Sequence, residues 1–262
     1  MAQSDRRTRR RAGLPAQKSV VAEIVFTPAR RASAGGAPSP VVGQTYRIIR
    51  TTEVDPYEPR VTRAGIVPLA APAAPVSDVF DGTARKAAKL AIAAAKTESF
   101  IDLPDLIKTL PSKTAMKKHK PKITVEATST RVKEENRNAR LRAFLYAASR
   151  EKDNDFHLIV GRAPAPTPHV YMTAEVSGLP PQSSKSFAPL KSARDAFKQF
   201  FAGHLPGPSY DFYDPPIPIE IEGSLFFDMS HASGEGPGPQ SLHKDIPTIW
   251  EIHPVTSIVF EP

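Results

Sequence analysis

The second half of the sequence predicts a mainly β domain in which one helix interrupts a series of five strands. Segments with strand patterns lie between Ile123 and Phe260, and the only convincing amphipathic helix there falls between the third strand and the fourth. The order β-β-β-α-β-β is that of the OB fold, a small five-stranded Greek-key barrel. The predicted fold class is therefore mainly β with α, an OB-like barrel preceded by a helix and a disordered basic N-terminal region.

Each strand is predicted from alternation of apolar and polar residues or from a short apolar run. Alternation over Ile123–Val132 and Ala139–Ala148 is typical of half-buried strands. The polar turn Glu151–Asp155 leads into the apolar run Phe156–Val160. If the stretches at Arg140 and Phe156 pair as a hairpin, the next three strands of the barrel are Tyr171–Val176, Ile217–Asp228 and Trp250–Phe260.

Three helices are predicted. The segment Gly82–Thr97 is rich in alanine, the strongest helix former, and Asp78 or Asp81 can cap it. A shorter helix is expected over Leu103–Leu110, which ends at Pro111. In the barrel domain, Ser192–Gly203 places three phenylalanines on one packing face, and its glycine is a plausible end.

The composition divides the chain into three parts. Residues 1–40 are rich in Arg, Ala, Gly, Ser and Pro, which predicts a disordered basic tail. Residues 41–118 are predicted to form a linker with a short strand and helices, and residues 119–262 the OB-like domain. Two short extended segments, Val20–Phe26 and Thr45–Glu53, are expected to dock on a neighbouring part of the fold.

Charge and cysteine content limit the partners and the chemistry. The net charge is +8, and residues 1–63 carry 12 Lys and Arg against 5 Asp and Glu. The absence of cysteine excludes disulfides, thiolate zinc sites and cysteine nucleophiles. No segment reads as a secretory signal, and the longest apolar stretch is too short to span a bilayer. A soluble, cytoplasmic protein is expected.

Basic residues suggest an acidic partner. Residues 108–142 carry 11 basic and 3 acidic side chains, and this excess is the basis for expecting nucleic acid or an acidic protein as the ligand. The candidate binding residues are Lys117, Lys118, Lys120, Arg140 and Arg142. Arg85, Lys89 and Lys96 on the alanine-rich helix are interpreted as a solvated face.

Polar side chains inside or at the ends of the predicted strands suggest a second kind of site. They are Asp155, His157, Glu175, Asp228, His231, Glu251 and His253. Imidazoles with carboxylates can bind a metal ion or act as general acids and bases. The candidate catalytic residues are His157, Glu175, Glu251 and His253, and the candidate metal ligands are Asp228 and His231. No short ligand motif occurs, so a network of structural hydrogen bonds explains them equally well, and the cofactor stays open.

Four of these segments resemble an ordered pattern in a family of bacterial proteins without an assigned activity. They are Asp-Asn-Asp-Phe-His-Leu at 153–158, Ala-Glu-Val at 174–176, Gly-Ser-Leu-Phe-Phe-Asp at 223–228 with His231, and Trp-Glu-Ile-His-Pro-Val at 250–255. The resemblance covers residues 138–260 and implies a shared fold rather than a known chemistry. This chain departs from the pattern in having Asn154 where glycine is usual and in the long loop between Asp228 and Trp250.

Three functions are compatible with the sequence. The first is a non-catalytic OB-like binding module for nucleic acid or another acidic partner. The second is a metal-assisted phosphodiesterase or nuclease, which the strand order of staphylococcal-type nucleases suggests by analogy of fold alone. The third is a structural or assembly protein tethered by its tail. The second function requires the carboxylates and imidazoles to lie within a few ångströms of one another.

Overall fold

A computed structural model describes residues 13–15, 17–28, 44–56, 77–165, 167–232 and 236–261. In this part of the chain the fold is mainly β, with one sheet of eight strands and four short or medium helices. None of the helices described here is long and apolar enough to cross a membrane. The strands are β1 Val20–Phe26, β2 Tyr46–Thr51, β3 Thr97–Phe100, β4 Asn138–Arg150, β5 Phe156–Gly161, β6 Tyr171–Val176, β7 Asp211–Phe227 and β8 Trp250–Phe260, and the helices are α1 Lys86–Lys89, α2 Leu103–Lys108, α3 Lys113–Lys117 and α4 Phe187–Phe200.

The strand order in the sheet is β1-β2-β7-β8-β6-β5-β4-β3, and β7 also pairs with β4. The β3–β4 and β6–β8 pairs are parallel, whereas the other pairs are antiparallel. Helix α4 follows β6 in the chain and packs on the sheet through stacked rings, with Phe200 3.8 Å from Phe260 and Phe197 4.7 Å from Phe156 between centroids. The middle of the sheet is thus formed by the second half of the chain.

Alternation along β5, β6 and β8 separates two faces of the sheet. One face points into the main core, which includes Leu158 from β5, Ala174 from β6 and Ile252 from β8. Because side chains of a strand alternate, the residues between them lie on the opposite face. That opposite face is buried too, since β2 and the connection between β7 and β8 cover part of it with a second apolar cluster, whose buried members are Ile49, Tyr146, Ala147, Ile159, Tyr171, Tyr210, Phe212, Leu242 and Ile246.

The alanine-rich helix is much shorter than the sequence predicts. Helix α1 has four residues, and the chain that follows leaves the helical path. Instead, the backbone of Ala93 binds two side chains of the sheet, because its N–H donates to Ser224 Oγ at 2.9 Å and its carbonyl accepts from Asn138 Nδ2 at 3.0 Å. These tertiary hydrogen bonds outweigh the helix propensity of alanine, which is small per residue.

The predicted strand Ile123–Val132 is absent, and this prediction is wrong. The segment is irregular, and its carbonyls at Val125 and Ala127 accept hydrogen bonds from Arg85 and Ala87 at 3.2 and 2.9 Å. The β-β-β-α-β-β order therefore begins at β4. Helix α4 begins earlier than predicted because Pro189 lies in its first turn, where proline is tolerated.

Strand β7 is also longer than predicted. Its first half contains Pro215, Pro216 and Pro218, which argue against a strand on sequence alone. The pairing with β4 shifts between Leu145 and Ala147, so the ladder accommodates the irregular stretch with a bulge.

Part of the predicted N-terminal tail is an ordered strand. β1 pairs with β2 along its length, and Phe26 is buried against Phe201, with ring centroids 5.6 Å apart. Most of the other residues of the range 1–40 lie outside the described residues. The two extended segments predicted to dock are thus the pair β1 and β2, and β2 continues the sheet by pairing with β7.

A buried ion pair joins the segment before β4 to the sheet. Arg85 and Glu135 have side chains only 2% and 0% exposed, and the guanidinium donates to both carboxylate oxygens at 2.6 and 2.8 Å. Glu135 also accepts from the backbone N–H of Phe227 at 2.9 Å. The surface pair Arg140 and Glu222 has the same chemistry, but its side chains are 48% and 20% exposed.

We expect Glu135→Ala to lower the free energy of unfolding by about 3–5 kcal/mol, because it leaves a buried guanidinium without its counterion. The matched control, Glu222→Ala, should lower it by less than about 1 kcal/mol, since water screens the exposed pair. Urea denaturation followed by the fluorescence of the buried Trp250 measures both. Equal losses of unfolding free energy in the two variants would contradict a larger contribution from the buried pair than from the exposed one.

A second prediction concerns Asp211, which faces Arg50 across the β2–β7 pair at 3.4 Å. Burial raises the pKa of Asp211 to about 7, and Arg50 offsets this only in part. Folded Asp211 therefore holds its proton more tightly than the unfolded chain, in which the pKa is about 3.9. Its contribution to stability is fully present below about pH 4 and is lost as the pH rises through about 7. Relative to Asp211→Asn, the wild type should lose free energy of unfolding as the pH rises from about 4 to about 7, measured by urea titration at each pH. If the free energies of the two proteins change in parallel with pH, the prediction is wrong.

Candidate functional site

The register of three strands brings histidines and carboxylates into one row. His157 of β5 lies directly opposite Glu175 of β6 in the antiparallel pair. The parallel pair β6–β8 matches Thr173 with Glu251, so that Glu175 comes beside His253 two residues further on. Because the three strands bury their alternate residues in the main core, this row lies on the opposite face.

The row belongs to a larger group that we call the acid–histidine cluster. Its members come from β5, β6, β8, the segments that follow β2 and β7, the turn between β4 and β5, and helix α1. Each is joined to another by an ion-pair contact of 4.0 Å or less. The cluster consists of Asp55, Lys89, Glu151, Asp153, Asp155, His157, Glu175, Asp228, His231, Glu251 and His253.

The tight turn between β4 and β5 aims three carboxylates at the row. Asn154 has a φ of 81°, in the left-handed region, which asparagine tolerates better than most residues and in which glycine is common. Its amide donates to the carbonyl of Val79 at 2.8 Å. Asp155 accepts from the N–H of Gly178 with Oδ1 at 2.6 Å, which leaves Oδ2 facing His253.

The centre of the cluster is the inner trio, Asp155, Glu175 and His253. Nδ1 of His253 is 2.8 Å from Glu175 Oε2, and Nε2 is 3.4 Å from Asp155 Oδ2. All three side chains are buried, and none of these four atoms has a hydrogen-bond partner of acceptable geometry. Buried polar atoms without partners are rare in folded proteins, and each calls for an explanation.

A neutral histidine cannot satisfy both contacts. The imidazole carries one N–H and one lone pair, yet both nitrogens of His253 face carboxylate oxygens. The lone pair would repel its carboxylate unless a proton or a cation lies between them. The contact of 3.4 Å is long for a hydrogen bond but matches the spacing of two ligands of one tetrahedral ion, about 3.3–3.6 Å.

His157 lies beside the inner trio with a partner of its own. Its Nδ1 is 2.5 Å from Glu151 Oε1 and 3.3 Å from the hydroxyl of Tyr210, while Nε2 has no partner. One ligand atom each of Glu151, His157 and Glu175 lies within 4.8 Å of the others. Glu175 therefore belongs to two groups that could each hold a metal ion.

A third group, which we call the outer trio, consists of Asp228, His231 and Glu251. Its ligand atoms also lie within 4.8 Å of one another. His231 contacts Asp228 through Nδ1 and Asp55 through Nε2, the latter at 3.2 Å. Glu251 joins the two trios, because its Oε2 is 3.6 Å from Nδ1 of His253.

The cluster holds more negative than positive charge. Lys89 contributes one ammonium group, which is 3.1 Å from Asp153, 3.6 Å from Glu175 and 4.0 Å from Asp155. Even with all three imidazoles protonated, the seven carboxylates would outnumber the cations of the cluster. Burying unpaired charge is costly, so the excess must be neutralised by protons or by bound cations.

The pKa values of the buried carboxyl groups are shifted in opposite directions. Burial raises the pKa of Asp155 and of Glu251 well above the ordinary range, and the charge of Glu175 raises both further. Burial also acts on Glu175, but attraction to His253 and Lys89 outweighs it and holds its pKa well below the usual value. Burial lowers the pKa of His253 although Glu175 acts in the opposite direction, and a lowered pKa favours the neutral imidazole that binds a metal ion.

The other two histidines hold protons. Burial lowers the pKa of His157, but Glu151 more than compensates and raises it to about 9. In the same way, hydrogen bonds to Asp228 and Asp55 overcome burial and raise the pKa of His231 to about 10. The electrostatics therefore distinguish His253, whose pKa is lowered, from His157 and His231, whose pKa values are raised.

The buried guanidinium of Arg131 holds the backbone at His253 in place. Arg131 donates to the carbonyl of His253 at 2.5 Å and also to the carbonyl of Leu225. Its guanidinium is buried, and burial lowers its pKa to about 10. The ring of Phe226 lies 5.3 Å from the imidazole of His253. Strand β8 is thus held in place at His253 itself and not only at its two ends.

The structure brings the four candidate catalytic residues together, and the two candidate metal ligands are their neighbours. It also adds Lys89, Asp55 and Glu151, which the sequence did not reveal as site residues. Glu151 belongs to the polar turn that was interpreted structurally. Arg85 and Lys89, interpreted as a solvated face, are in fact buried.

The candidate binding residues lie elsewhere. Arg140 and Arg142 are on β4 and pair with Glu222, Glu220 and Glu261. The lysines are exposed, one in α3 and two just after it, namely Lys117, Lys118 and Lys120. Their role in binding stays a prediction.

No protein-family model, curated protein or solved structure matches the chain. The resemblance to a bacterial family therefore also stays a prediction. Functional conclusions come from the fold and from the acid–histidine cluster.

Lys89 offers a test of the charge excess. We expect Lys89→Met to lower the free energy of unfolding of the ion-free protein by about 3–5 kcal/mol, because it removes a buried cation from among carboxylates. Lys86→Met on the same helix is the control and should change it by less than about 1 kcal/mol, since Lys86 is exposed. Urea denaturation in a chelating buffer measures both, and an unaffected Lys89→Met variant would show that the carboxylates are already neutral.

Proposed function

We propose that the protein is a divalent-metal-binding protein built on an OB-like barrel. The pairings that support the barrel run from β4 through β5, β6, β8 and β7 and back to β4, with β6 and β8 parallel and α4 between β6 and β7. In the OB fold, the face of the second and third strands and the loops between strands one and two and between strands four and five bind ligands.

The acid–histidine cluster occupies the equivalent place. His157 and Glu175 are on β5 and β6, the second and third strands of the proposed barrel. The turn Glu151–Asp155 corresponds to the first of the two ligand-binding loops, and His231 follows β7 in the second. This location supports a binding role for the cluster rather than a purely structural one.

The observation that carries the proposal is the set of unpartnered buried atoms in the inner trio. Asp155 Oδ2, Glu175 Oε2 and one ring nitrogen of His253 lie close together without hydrogen-bond geometry, Asp155 facing Nε2 and Glu175 facing Nδ1, in a cluster that holds excess negative charge. A divalent cation between them would satisfy all three and replace the protons on the carboxyl groups. A water molecule could bridge the atoms but would not supply the missing charge.

The donor set selects the type of ion. Imidazole with two carboxylates suits zinc, manganese, iron or cobalt, whereas magnesium and calcium prefer oxygen ligands alone. The inner trio is the better first site than Glu151, His157 and Glu175, because the pKa of His253 is lowered, whereas an ion at His157, or at His231 of the outer trio, has to displace a proton that a raised pKa holds.

The burial of the cluster favours ion binding over catalysis. Asp155, Glu251 and His253 have no exposed surface, and a substrate would have to reach the ion past the residues that cover them. The nuclease hypothesis is therefore supported less than the metal-binding one. The nucleic-acid hypothesis is weakened for Arg140 and Arg142, whose guanidinium groups already have carboxylate partners. A cytoplasmic location also stays a prediction.

Isothermal titration calorimetry of chelator-treated protein with Zn²⁺, Mn²⁺ and Mg²⁺ tests the proposal. We expect the wild type to bind a transition-metal ion and to prefer it to Mg²⁺. His253→Gln should abolish or weaken uptake by at least about tenfold, because it removes the nitrogen ligand. Affinity should also fall on acidification, since the ligands must lose protons to bind the ion.

His119→Gln is the matched control. His119 pairs with Glu134 at 3.1 Å, so it is also a histidine beside a carboxylate, but it is outside the cluster. This variant should bind the ion like the wild type. Thermal unfolding with and without the ion distinguishes metal binding from a purely structural hydrogen-bond network. In a structural network, His253→Gln destabilises the protein equally under both conditions. Failure of the wild type to bind any of the ions would refute the proposal.

A further inference from the structure

We infer that the outer trio binds a second divalent transition-metal ion, so that the cluster is a two-ion centre. This inference rests on the proposed function, because the two ions would share the environment of His253 and Glu251. The ligand atoms of Asp228, His231 and Glu251 already lie within 4.8 Å of one another, and all three residues are buried, Glu251 completely.

Glu251 provides the independent observation. Both of its carboxylate oxygens are buried, and neither has a hydrogen-bond partner. The strand register places Glu251 opposite Phe226 on one side and Thr173 on the other, so its neighbours in the sheet offer no cation. Glu251 therefore has two oxygens without a hydrogen-bond partner, and it lies beside the inner trio as well as in the outer trio.

The geometry around Glu251 suits a bridging ligand. Its Oε2 is 3.6 Å from Nδ1 of His253, whereas Asp228 and His231 lie within 4.8 Å on the side of the outer trio. One oxygen can therefore coordinate each ion. In proteins with two-ion sites the ions are about 3.5–4 Å apart, a distance that a shared carboxylate spans.

The surroundings of His231 match those of a metal ligand. A ligating histidine usually donates its second ring N–H to a carboxylate, which fixes the ring. Asp55 plays this part for Nε2 of His231 at 3.2 Å, and it is itself held by the N–H of Gly238 at 2.7 Å. Nδ1 then faces Asp228, whose other oxygen accepts from the N–H of Ser230 at 2.7 Å. An ion would take the place of the proton between His231 and Asp228.

Charge also favours a second ion. When the histidine ligands are neutral, Lys89 and one divalent ion together balance fewer than half of the seven carboxylates of the cluster. A second divalent ion would reduce the remaining excess to two negative charges, because Lys89 and two ions together supply five positive charges. The residues concerned are donated by the segments that follow β2 and β7 and by β8, so the second ion would also tie three parts of the chain together.

Metal analysis and calorimetry of the full chain test the inference. The wild type should bind about two ions of Zn²⁺ or Mn²⁺, and His231→Gln should bind about one. Glu251→Gln should weaken both ions, because it removes the shared carboxylate. Asp245→Asn, an exposed carboxylate in the same connection between β7 and β8, is the control and should keep both.

A measurement on the wild type alone avoids variants that fail to fold. Two Mn²⁺ ions joined by a carboxylate are magnetically coupled, so electron paramagnetic resonance should show a coupled pair at saturation and an isolated ion at low loading. A single uncoupled ion would overturn this inference if His253→Gln removes it and His231→Gln leaves it in place. The proposed function would still stand in that case. Absence of any bound ion would overturn both.

Discussion

The folded chain has to accommodate a group of carboxylates on a sheet face that is closed to water. Burial alone would raise the pKa of every one of them, and the differences among them arise from their neighbours: His253 and Lys89 hold the pKa of Glu175 well below its usual value, whereas the pKa values of Asp155 and Glu251 stay well above theirs. Strand register, the tight turn after β4 and the position of α1 all follow from bringing these groups and their partners together. Burying an apolar face of similar volume would cost less free energy, so we expect the polar face to have a function.

The structural surroundings keep this face rigid. Arg131 holds the backbone on both sides of the site through carbonyls of β7 and β8, and the Arg85 and Glu135 pair closes the same region from behind. Arg131, Arg85 and Glu135 are outside the acid–histidine cluster, so they contribute stability and position without changing the donor set. Rigidity of this kind favours a site that selects an ion by geometry.

Sequence patterns predicted much of the barrel region but little of its surroundings. The strands at Tyr171–Val176 and Trp250–Phe260 were predicted with the bounds that the structure has; all of the first strand and the first six residues of the second are buried. Prolines concealed the first half of β7, and alternation at Ile123–Val132 suggested a strand although no partner strand lies beside it. The histidines and carboxylates of β5, β6 and β8 were identified because they interrupt apolar strands. Lys89 and Asp55 were missed because nothing local distinguishes a buried charge in an alanine-rich segment or a loop from a solvated one.

The order in which the cluster residues occur along the chain has a consequence for how the protein folds. Asp55 and His231 meet across 176 residues, and Lys89 and Asp153 across 64. Contacts of such long range close large loops and form late, so high contact order and slow folding are expected for this region. The nascent chain therefore cannot assemble the site until β8 has been synthesised, and an ion bound there would report that the whole sheet is complete.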